Sequence, residues 1–87
     1  MNNPLLITLE IIQTLDAQSA SAADLMNKFS ISVAGLKRHI TEARLLGAKI
    51  ESVRFGKGWV YLLTNKDDVR VKVGQWVKLE RERDLTA

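Results

Sequence analysis

Six basic side chains crowd one stretch of the chain: Lys37, Arg38, Arg44, Lys49, Arg54 and Lys57, with His39 among them. Only Glu42 and Glu51 oppose them there; the other acidic residues lie in the first 24 positions or beyond residue 66. Ammonium and guanidinium groups gathered with few carboxylates suit neutralisation of phosphates. Bond-making chemistry finds no comparable cluster. No carboxylate pair, phosphate loop or nucleophile–base arrangement stands out, so an enzyme is not expected. His39 is the sole histidine, which rules out a metal cluster built on several histidines, and nothing near it suggests a triad. It reads as a surface residue. There is no cysteine, so disulfides and thiolate metal sites are excluded, as fits a reducing compartment. No cofactor is expected.

The 87 residues give room for one compact domain and for no separate ligand-sensing domain, so no small-molecule ligand is expected. Hydrophobic residues make up 46% and charged residues 26%, ordinary for a globular chain, and the net charge of +3 is mildly basic. The apolar run Leu5-Leu6-Ile7 is short and is followed by Glu10 and Asp16, which fits neither a signal peptide nor a membrane span. A cytoplasmic protein without membrane contact is the expectation.

Asn3-Pro4 reads as an N-cap and first helical residue, and Leu5, Leu9, Ile12 and Leu15 recur at helical spacing, with Ile11 widening the stripe. A helix over 4–17 is predicted. Residues 16–21 read as a connection. Ser21-Ala22-Ala23-Asp24 has the form of a capping box and opens a short helix to Phe29. Ser30-Ile31-Ser32 is a tight turn, and Ser32 caps a helix from Val33 to Leu46 that buries Leu36, Ile40, Ala43 and Leu46 or Leu45. Gly47 ends it in the left-handed position. From Lys49 to Leu63 strand formers take over, divided by Gly56-Lys57-Gly58 into a β-hairpin. For residues 66–83 two periods compete. Val69, Val71 and Val73 alternate like a strand, whereas Val69, Val73, Trp76 and Val77 share a helical face. Asn65 as cap, Asp67 and Asp68 in the first turn and the run Lys78–Arg83 decide for helix.

Two helices joined by a tight turn leave the second helix's outer face free, with the diameter to enter a DNA major groove. The stretch from Leu25 to Ile40 resembles the helix-turn-helix of winged-helix regulators, of the type found at the N-terminus of DeoR-like and biotin-repressor-like proteins. Leu45–Ser52 and Gly56-Lys57-Gly58-Trp59-Val60-Tyr61-Leu62 continue the resemblance into a wing, so that it spans about residues 5–63. It implies a mainly α fold with a small β-hairpin wing and a three-helix core in residues 1–64; residues 65–87, which the resemblance does not cover, read as a C-terminal helical extension that packs on the core or mediates dimerisation. The resemblance further implies double-stranded DNA binding. Ser32 would cap the recognition helix and reach a phosphate, while Val33, Ala34, Lys37, Arg38 and Thr41 would face the groove. Arg54 and Lys57 would serve the wing. The chain departs from that family in having Ser30 where glycine is frequent, and Val33-Ala34-Gly35 where polar residues are usual. Val33 and Ala34 can touch thymine methyls but cannot hydrogen-bond base edges, so base reading falls to Lys37 and Arg38.

Each of these residues has a plainer role to weigh. Lys37, Arg38 and Lys57 also suit solvated surface, and Arg44 suits the negative end of its helix. Trp59 and Tyr61 are read as core packing in preference to base stacking. Val69, Val73, Trp76 and Val77 suit either the core or a dimer seam; the dimer is preferred, because pairing across two half-sites raises affinity. The expected function is therefore transcriptional regulation by a DNA-binding homodimer. The rivals are a winged-helix protein-interaction module and a replication- or RNA-associated accessory protein.

Overall fold

The computed structural model describes residues 3–86. It is mainly helical, with four helices and a small antiparallel sheet, in the order α1 (Pro4–Ala17), β1 (Ala20–Ser21), α2 (Ala22–Phe29), α3 (Val33–Leu45), β2 (Ile50–Phe55), β3 (Gly58–Leu63) and α4 (Lys66–Thr86). No helix among the described residues is long and apolar enough to cross a membrane.

α1 begins where the Asn3 side chain accepts a hydrogen bond from the Leu6 amide at 3.1 Å and Pro4 supplies a preset φ. Its wide apolar stripe buries Thr8, Leu9, Ile11, Ile12 and Leu15 almost completely. A stripe that broad needs cover on more than one side. α3, α4 and β3 provide it. α4 is helical as the competing pattern decided, and Val69, Val73 and Val77 point at α1 with at most 3% exposure. These three valines belong to the chain's own core, so the expected seam between copies cannot use them. Trp76 is half-buried at the edge of that core. α1 and α4 run antiparallel. Arg70 of α4 grips Asp16 at one end, and Asn3 donates to Glu80 at 3.0 Å at the other.

β1 was not foreseen; residues 16–21 read as a polar connection. Only Ala20 and Ser21 pair, opposite Tyr61 and Val60, which makes a sheet of order β1-β3-β2. Two residues carry too short a pattern to betray a strand. The expected hairpin is present, with Ile50 opposite Leu63 and Phe55 opposite Gly58. Arg44 does not sit at its helix end as a free charge. Its Nε and Nη2 donate to the Ile50 carbonyl at 3.1 and 2.8 Å, tying α3 to the outer strand. Asn65 likewise does not use its side chain as a helix cap. That amide bridges to the loop after α3, accepting from the Lys49 amide and donating to the Gly47 carbonyl, each at 2.8 Å.

Ser30 ends α2 in the left-handed region, at φ 53° and ψ 49°. A Cβ is disfavoured there by about 1–2 kcal/mol, and glycine relieves it. Ser30→Gly is expected to raise stability by about 1 kcal/mol, read as a higher urea midpoint. A lower midpoint would contradict this account of the turn.

Candidate nucleic-acid interface

α3 has two unlike faces. Leu36, His39, Ile40 and Ala43 point inward. Ala34, Lys37, Arg38, Thr41 and Leu45 are linked by three- and four-residue steps, with Lys37 and Arg38 side by side, and are all exposed, so they share the outer face. Val33 borders it, 52% exposed. The helix starts where the Ser32 hydroxyl accepts from the Gly35 amide at 3.1 Å. Ser32 therefore caps as expected, and its exposed oxygen is already engaged by the backbone. Thr41 donates to the Lys37 carbonyl at 3.0 Å, which holds its methyl and hydroxyl against the helix. Of the six residues assigned around this helix, Lys37 and Arg38 alone bring positive charge to the outer face. Of the two leucines that could complete the buried face, Leu46 turns inward and Leu45 stands 82% exposed on the outer face.

Two inward positions fix how that face is presented. His39 is 9% exposed, not the surface residue its sequence context suggested. Its Nδ1 lies 2.7 Å from the hydroxyl of Thr8, itself fully buried on α1. This polar pair crosses the helix interface inside an otherwise apolar contact. The one available signal was Thr8, a hydroxyl on the edge of the α1 apolar stripe four residues before Ile12. Burial pushes the His39 imidazole below its ordinary value of 6.5; Glu42 partly offsets this and Arg38 adds to it.

The hairpin places its basic residues apart from those of α3 in sequence but exposed like them. Lys57 stands at the turn, and Arg54 lies over the Trp59 ring, 5.7 Å from its centre. Tyr61 packs against the core as expected. Trp59 does not; it is 47% exposed, because strand pairing carries it past the last core residues. No family model, curated protein or solved structure matches this chain.

The depressed imidazole sets a pH dependence. The unfolded chain takes up a proton near the ordinary value, before the folded chain does, so stability is full above that pH and falls as acid is added. Denaturant unfolding between about pH 7.5 and 5.5 is expected to show this loss, with a slope no steeper than the one-proton limit of about 1.4 kcal/mol per pH unit. His39→Gln should flatten that slope. A wild-type stability that rises toward pH 5.5 would contradict the burial argument.

Proposed function

We propose that the chain is a winged helix-turn-helix domain that binds double-stranded DNA and serves as a transcriptional regulator. α2 and α3 form the helix-turn-helix, α3 is the recognition helix, and the hairpin β2–β3 is the wing. The observation that carries this reading is the outer face of α3, where Lys37 and Arg38 stand exposed while Leu36, His39, Ile40 and Ala43 anchor the opposite side. A helix held in this manner offers its full width to a major groove. Lys37 and Arg38 contact base edges or phosphates, and Val33 and Ala34 meet thymine methyls. Arg54 and Lys57 on the hairpin reach the adjacent backbone or minor groove.

Phosphate neutralisation does not depend on sequence, so any duplex serves as a first probe. Fluorescence anisotropy with a labelled duplex at two salt concentrations should show affinity that falls as salt rises. Lys37→Ala/Arg38→Ala is expected to weaken binding about tenfold and to lower the salt slope by about two. A flat titration at low salt would refute DNA binding, and a double variant that binds like the wild type would remove α3 from it.

A second reading, a protein-interaction module, is favoured by Leu45 and Val33, apolar and exposed at opposite ends of the same face. Pairing of two copies through α3 is its simplest form. Sedimentation giving a dimer that Leu45→Ser converts to a monomer, together with a flat DNA titration, would decide for it. A dimer formed elsewhere would have Leu5, Trp76 and Leu79 available, which line a cavity of about 170 Å³ between α1 and α4.

A further inference from the structure

We propose that the hairpin tip is a base-stacking wedge, and that the chain binds DNA carrying unpaired nucleotides more tightly than continuous duplex. This rests on the nucleic-acid reading above and names the form of DNA that the hairpin takes.

Phe55 and Trp59 flank the turn Gly56-Lys57-Gly58. Phe55 lies opposite Gly58 and Arg54 lies opposite Trp59, so the two rings stand on opposite faces of the ribbon. Phe55 is 76% exposed and Trp59 47%, and neither belongs to the core. Two large aromatic surfaces left in water at one protruding tip suit a ligand that covers them.

Gly58 keeps the space beside the Phe55 ring open. Gly56 needs its glycine, since its φ is +62°. Gly58 does not: its backbone is not left-handed, and an added Cβ would meet nothing within 4 Å. Neither packing within the chain nor backbone geometry requires glycine there. What the missing side chain does is leave the space across from the Phe55 ring open.

The charges around the tip fit a polyanion. Lys57 crowns the turn and Arg54 lies against the Trp59 ring. Two carboxylates lie on the Phe55 side: Glu51, four residues back along the strand, about 13 Å at 3.3 Å per residue, and Asp24 at the start of α2, which lines a cavity with Phe55 and Val53. A base stacked inside a continuous duplex shows only its edges to a protein, whereas an unpaired base exposes its flat face. Phe55 and Trp59 can each stack on such a face, one on either side of the ribbon, while Arg54 and Lys57 hold neighbouring phosphates. Every base has such a face, so the preference is for unpaired structure and not for sequence.

The test is anisotropy of the full chain on a labelled continuous duplex and on the same sequence interrupted by a short single-stranded gap. The wild type is expected to favour the gapped DNA about tenfold. Phe55→Ala/Trp59→Ala should abolish that preference while changing continuous-duplex binding by no more than about twofold. Trp76→Phe leaves Trp59 as the sole tryptophan, and its emission should be quenched by the gapped DNA and not by the continuous one. Equal affinity for the two DNAs would overturn the proposal, as would a preference that survives the double substitution or an unquenched Trp59. Failure to bind either DNA would remove the underlying DNA reading as well; duplex binding without preference would remove the wedge alone.

Discussion

α1 is buried on so broad an arc that every other element takes its place from the need to cover it. Thr8, Leu9, Ile11, Ile12 and Leu15 have essentially no contact with water. The two adjacent isoleucines are the decisive feature. A narrower stripe would be satisfied by one partner helix, whereas Ile11 and Ile12 together demand neighbours on two sides. α3 covers part of the arc, and the valine row of α4 covers another, with β3 closing the end through Leu63 and Tyr61. Removing α4 would expose much of the stripe, which makes the C-terminal helix a structural partner of the same core.

The outer face of α3 is a by-product of that arrangement. Once Leu36, Ile40 and Ala43 are committed to α1, geometry leaves Lys37, Arg38 and Thr41 in water. The Thr8–His39 contact adds a directional element to an interface that apolar packing alone leaves free to slide. Arg44, bonded to the carbonyl of Ile50, then fixes the start of the hairpin relative to the end of α3. It also occupies a carbonyl that the edge strand would otherwise present to other chains. The two basic surfaces are thus held in a set relation by contacts that lie outside both.

Much of this was legible in the sequence, and the exceptions share a cause. The Asn3-Pro4 start, the Ser21 and Ser32 caps, the Gly47 stop and the Gly56-Lys57-Gly58 turn are local signals, and the elements they delimit follow closely. The candidate residues Lys37 and Arg38 were legible as exposed from the helix period, and Arg54 and Lys57 from their place at the end of the hairpin. Features set by distant partners were not. β1 exists because β3 has a free edge beside it. His39 is buried because Thr8 meets it from 31 residues away. Trp59 is exposed because the hairpin outreaches the body of the fold, and Val69, Val73 and Val77 are internal because α1 needs them.

The central claim, that the outer face of α3 and the hairpin tip form one nucleic-acid surface, is tested most directly by following backbone amide resonances during titration with unlabelled duplex DNA. The account predicts shifts concentrated in Val33–Thr41 and at Arg54 and Lys57, with α1 and α4 nearly still. Shifts centred on Leu5, Trp76 and Leu79, with α3 unmoved, would contradict it.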